Sequence, residues 1–188
     1  MTTAKYSVGG NGQPTESKIG FHVGYGMKIP FETNLYFSPA AFYSLKGYKV
    51  KFNQPSDPPD ILATDNNTSI HSFELGFLLQ YDFSRNPSHM FFKVGPTLDF
   101  QLSGKEKYKL NNNGSTSRSM IYSFGDYGRY SGNILLQLGY ETQGFMIYGQ
   151  YSHGFVNLSN RDNGPGIFHR VYGLSIGKYF GKKAGGKK

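Results

Sequence analysis

Seven segments of the chain alternate apolar and polar residues with a period of two, and no helical period competes with them. The clearest covers residues 18–29. Ile19, Phe21, Val23, Tyr25 and Met27 share one face, and Gly20, His22, Gly24, Gly26 and Lys28 share the other. That period marks a strand with two chemically different faces. The pattern recurs at 35–46, 72–83, 91–102, 130–141, 145–151 and 170–180. The chain is therefore read as all-β.

The connections set the topology. Short links at 30–34, 84–89 and 142–144 alternate with long ones at 47–67, 103–128 and 156–166. Short turns on one side and long loops on the other match a membrane barrel. Seven strands cannot close an antiparallel up-and-down barrel, because the first and last would run parallel. Residues 4–10, with Tyr6 and Val8 on one face, supply an eighth. The expectation is an eight-stranded antiparallel up-and-down transmembrane β-barrel over residues 1–180, with short periplasmic turns, longer extracellular loops and a basic Gly/Lys tail at 181–188. Pro39 and Pro96 fall mid-strand and each removes a ladder donor, so a bulge or local break is expected at both.

Alternation alone does not say which face is outside. The apolar face carries charge only at Arg170 and Lys178, near strand ends where long basic side chains can snorkel. The other face mixes glycine, serine and glutamine with Lys28, Lys46 and Lys93 against Glu74, Asp82, Asp99 and Glu141. Glycines and compensating ions suit the narrow interior of a small barrel. Tyr25, Tyr43, Tyr81, Tyr130, Tyr140, Tyr151 and Tyr172 gather near strand ends, as in an interfacial girdle. These observations place lipid against Phe21, Phe37, Phe77, Leu98, Leu136, Ile147, Leu174 and Ile176. The seven charged inner residues then form an ion-pair network filling the lumen.

Composition removes other classes. Hydrophobic residues make up 37%, and no apolar run exceeds the length of the one at 145–148, whereas a helical span needs about 20 residues. Aromatic content of 16% argues against disorder. Of the net charge of +8, Lys182, Lys183, Lys187 and Lys188 supply half, so the charge describes a tail rather than a nucleic-acid face. Cysteine is absent, which fits a cytosolic protein or an envelope protein without disulfides. Residues 1–5 contain no apolar leader segment, so the membrane reading expects a processed or engineered form.

Little chemistry stands out. His153 beside Ser152, with Ser159 and Asn160 nearby, has the residue types of a lipid-modifying barrel hydrolase, but a strand end entering a polar loop explains them better. His22 and His169 fall on the inner face as structural histidines. No His, Cys or carboxylate spacing resembles a metal site. The glycine-rich 20–26 segment lacks the following helix that phosphate binding needs. The segment 55–59 and Asn111-Asn112-Asn113-Gly114 are turn chemistry. No catalytic residue, cofactor or metal is expected.

Several segments carry a family resemblance: 4–10, 38–49, Lys93-Val94-Gly95-Pro96, Leu102-Ser103-Gly104-Lys105, 151–158 and the closing Tyr179-Phe180. With them the chain resembles the small PorT-like outer-membrane β-barrel domains of Bacteroidetes. The resemblance implies an eight-stranded barrel in a diderm outer membrane. Members include a gliding or type IX secretion component and many barrels without an assigned role. Phe180 looks like the terminal aromatic recognised by barrel-assembly machinery. The expected function is a non-enzymatic outer-membrane barrel. It would be a structural or accessory subunit of a cell-envelope complex, with lipid and protein partners. A soluble lipocalin-like barrel for an apolar ligand is the alternative, and a lipid-modifying hydrolase a second.

Overall fold

The computed structural model describes residues 1–53, 62–112, 114–162 and 164–180. The expected tail at 181–188 and the turn at 55–59 lie outside these. The described residues contain twelve strands: β1 (Thr2–Val8), β2 (Asn11–Gln13), β3 (Thr15–Ser17), β4 (Phe21–Gly26), β5 (Ile29–Pro30), β6 (Leu35–Lys51), β7 (Ala63–Asp82), β8 (Ser88–Leu110), β9 (Ser115–Ser119), β10 (Tyr130–Thr142), β11 (Phe145–Gly154) and β12 (Gly166–Lys178). None of the described residues forms a helix long and apolar enough to cross a membrane.

All twelve strands belong to one antiparallel sheet, ordered β2-β1-β12-β11-β10-β8-β7-β6-β3, with β4 and β5 also on β6 and β9 on β8. Two hairpins are as tight as two residues allow. Gly9-Gly10 joins β1 to β2, and Gln143-Gly144 joins β10 to β11, all four at positive φ. That backbone matches the twist of the flanking strands.

The count exceeds eight mainly because 11–30 is divided into β2, β3, β4 and β5, all running beside β1 or β6. One division has a clear cause. The Met27 amide donates to the Pro39 carbonyl, so the nitrogen of Pro39 faces the same neighbour and has no proton to offer. β4 stops at Gly26, and β5 resumes at Ile29. Pro96 acts likewise: the β7–β8 pairs at Phe77–Pro96 and Leu78–Gly95 drop out and the ladder resumes in register at Leu79–Val94. Neither proline produces a bulge.

A register shift does occur higher up, between His71 and Ser72 of β7, where Leu102 of β8 is left over. One extra residue reverses facing. Below it Asp99 and Gln101 point inward; above it Gly104, Glu106 and Tyr108 do. Much of what reads as long loop is consequently ladder: β6, β7 and β8 continue well past the alternating segments, and β9 pairs back onto β8.

The sheet is not closed along its whole length. Toward the loops, β1 pairs with β12 on one side, and Thr2 bridges Lys18 on the other. β1 begins only at mid-height, opposite Val171. Below that level β4 and the end of β12 each lack a second strand partner among the described residues. Across this seam the Ser175 hydroxyl lies 3.0 Å from His22 Nε2.

Burial is inverted relative to a water-soluble barrel. Phe21, Phe77, Leu98, Ile147, Leu174 and Ile176 are exposed, and Phe37 and Leu136 are half-buried. Lys46, Glu74, Asp82, Lys93 and Asp99 are buried inside, with Gln80, Thr97, Gln101, Asn133 and Gln137. The main apolar cluster lies at the loop end, where Tyr6, Tyr48, Val50, Ile70, Met120, Tyr127, Leu158 and Ile167 pack together, while Leu78, Phe91 and Leu135 are buried lower in the barrel.

Candidate functional site

The sheet wraps a polar lumen whose contents change with height. At the loop end the apolar cluster closes it. The buried Glu106 sits beside that cluster and accepts from Asn66 Nδ2 (2.9 Å), the Tyr127 hydroxyl (2.8 Å) and Arg118 Nε (2.8 Å). β9 carries Arg118 there, opposite Glu106 in the β8–β9 register. The Arg118 guanidinium also lies over the Tyr108 and Tyr127 rings. Burial, followed by the Glu106 charge, pushes the Tyr108 and Tyr127 phenols far above their ordinary range. Burial raises Tyr122 to about 12, Arg129 opposing and Glu106 adding to the rise.

Below lies the first ionic cluster. Lys46 Nζ is 2.7 Å from Glu74 Oε1 and 2.8 Å from Asp99 Oδ2. Glu74 and Asp99 face one another across β7 and β8, and Lys46 reaches both from β6. One cation against two carboxylates compensates a buried charge that neither strand could hold alone. His169 lies nearby, edge-on to Tyr48 at 5.7 Å, with both ring nitrogens buried and without a hydrogen bond.

The second cluster lies at the short-turn end. Lys28 Nζ is 2.7 Å from Asp82 Oδ2 and 2.9 Å from Glu141 Oε2, and 4.6 Å from the centre of the Tyr36 ring. His89 Nε2 is 3.1 Å from Asp82 Oδ2 and 3.6 Å from Glu141 Oε2. The sequence-expected network thus divides into two separate clusters. Lys93 joins neither: it makes no ion pair among the described residues, and its ammonium meets Ser38 Oγ, the Tyr179 hydroxyl and the Phe91 ring.

The two clusters flank a cavity of about 1570 Å³, lined by both edges of the seam and by Lys28, Lys46, Lys93, Glu74, Asp82 and Glu141. This corrects the expectation of a lumen filled by side chains. Filling holds at the loop end, whereas the cavity occupies the short-turn half.

Other expected sites resolve plainly. Ser152 is buried inside, while the adjacent His153 points outward and its Nδ1 meets the Tyr151 hydroxyl at 2.9 Å. The two face opposite sides of β11 and form no nucleophile–base pair. His22 lines the lumen at the seam. Phe180 follows β12 and is 84% exposed. Sequence reasoning placed His89 in a connecting link and missed its convergence with Asp82 and Glu141. The available signal was the strand parity shared by Asp82, on β7, and Glu141, directly opposite His89 in the β8–β10 register.

No curated protein and no solved structure matches the chain. A family model described as "Outer membrane protein beta-barrel domain" matches residues 3–160. With its exposed apolar face and buried ionic interior, the chain belongs to that family of outer-membrane β-barrel proteins.

Proposed function

We propose that the chain is an eight-span, PorT-like outer-membrane barrel that serves as a non-enzymatic accessory subunit of a cell-envelope complex. β2, β3, β4 and β5 act together as one interrupted span, so that eight spans surround the lumen. The short turns face the periplasm, and the long connections face outward. The observation that carries this reading is the closed loop end: Tyr48, Ile70, Leu158 and Ile167 are buried there beside the buried Glu106, which pairs with Arg118. Such a barrel holds and presents surfaces and does not conduct. The loop end offers an apolar contact surface for a protein partner, with Phe124 93% exposed beside the exposed Ile121. Phe180, exposed past the last strand, serves as the assembly signal.

The test uses the protein purified from outer membranes. It should migrate heat-modifiably on denaturing gels, give no steady conductance in planar bilayers, and lose a co-purifying protein on Phe124→Ala. Recovery as a detergent-free soluble monomer refutes the barrel, and a steady pore refutes the closed lumen. A lipid-hydrolysing activity abolished by Ser152→Ala refutes the non-enzymatic role.

A further inference from the structure

We propose that Asp82, His89 and Glu141 form a divalent transition-metal site at the short-turn end of the lumen, with the Lys28 ammonium as its exchangeable resident cation. The site stands on interior geometry and goes beyond the barrel's role in the envelope.

The three side chains come from neighbouring strands, β7, β8 and β10, and their ligand atoms all lie within 4.8 Å of one another. His89 supplies the independent indication. Its Nδ1 lies 2.7 Å from the Asn86 carbonyl oxygen. A carbonyl only accepts, so Nδ1 carries the proton and, in the neutral ring, Nε2 presents a lone pair. That Nε2 is buried without a hydrogen bond, in a side chain only 6% exposed, and it faces two carboxylates. A lone pair aimed at anions is repulsive unless a cation lies between them. A ring N–H anchored on a carbonyl, with the other nitrogen free, is the arrangement that orients a metal-binding histidine.

Charge and ligand type then select the ion. Asp82 and Glu141 bring two negative charges against the single charge of Lys28; a divalent ion in its place neutralises the pair. One imidazole nitrogen and two carboxylates suit zinc, cobalt, manganese or ferrous iron better than the all-oxygen preference of calcium or magnesium. Three protein ligands also leave a position open toward the cavity that all three line. Lys28 is free to leave. It sits in the link between β4 and β5, outside both strands, and the rings of Tyr36 and Tyr179, 4.6 and 5.5 Å from its ammonium, retain it nearby.

The experiment titrates chelator-treated, folded protein in detergent with Co²⁺, read by visible absorbance, and with Zn²⁺, read by calorimetry. Wild type should bind one ion per chain with a d–d band. His89→Ala should weaken binding by at least roughly 10–100-fold, the loss that removing even an outer-shell partner of a ligand causes. Lys28→Met removes a like charge and should tighten binding by about fivefold or more. Heat-modifiable migration confirms that each variant is folded. If Lys28→Met does not fold, wild type against His89→Ala and Glu141→Gln decides. Absence of stoichiometric binding by wild type at millimolar metal, or unchanged binding in His89→Ala, overturns the proposal and leaves a fixed ion-pair cluster only.

Discussion

The Glu106–Arg118 pair predicts an asymmetry between its two partners. Glu106 is fully buried, whereas the Arg118 side chain is 33% exposed. Arg118→Met removes the one cation paired with Glu106 among the described residues and leaves a buried carboxylate with the Asn66 and Tyr127 donors. Breaking a buried pair from one side costs about 3–5 kcal/mol, and the two remaining donors place this case near the lower value. Glu106→Gln keeps the shape and both neutral partners. It leaves a charge already in contact with water, over two tyrosine rings, at a cost of about 1 kcal/mol. Native-state hydrogen exchange of β9, or proteolysis within 111–128, reads the opening of this cap directly. Arg118→Met should raise the opening constant by about two orders of magnitude and Glu106→Gln by less than about tenfold. The double variant should resemble Glu106→Gln alone. Equal effects of the two single variants, or an Arg118→Met effect below about tenfold, would refute the reasoning that burial of the carboxylate sets the cost.

The same cap should weaken in alkali. Tyr108, Tyr122 and Tyr127 have folded pKa values above the ordinary phenol value, Tyr122 at about 12. The unfolded chain therefore ionises first, near pH 10. Stability is full below that pH and falls as pH rises from about 10 toward 12; absorbance at 295 nm should show these three phenols titrating only as the cap opens. Glycine positions separate by contact: a Cβ at Gly139 would run into the Ile147 carbonyl and Tyr148 Cβ, whereas at Gly149 it meets only the Leu138 oxygen at 4.0 Å. Gly139→Ala should destabilise by about 1–3 kcal/mol and lower the thermal midpoint, while Gly149→Ala stays within about 0.5 kcal/mol of wild type.

The exterior of this fold was legible in sequence because lipid-type faces alternate against glycine and polar residues; Ile19 to Met27 and Phe73 to Phe83 carry that signal without ambiguity. The ladder above it was not. From Lys105 to Lys109 the outward residues are lysines and the inward ones are Glu106 and Tyr108, so no hydropathy contrast marks the period. The leftover Leu102 also changes the parity just before it. Asp82, His89 and Glu141 meet through the registers of the β7–β8 and β8–β10 pairings, a relation that spacing along the chain does not encode. Pro39 and Pro96 announced interruptions correctly, but their effect falls on the neighbouring strand that loses its donor.

The reach of β8 has a mechanical consequence. It runs 23 residues without leaving the sheet, whereas about 9–11 residues cross a membrane. At about 3.4 Å per residue and a tilt near 40°, the stretch from Ser103 to Leu110 rises about 20 Å beyond the apolar band. That stretch is braced on both sides, by β7 and by β9. The loop tips are thus carried on a stiff pedestal rather than a tether. Their height above the lipid headgroups is therefore set by strand geometry rather than by loop flexibility.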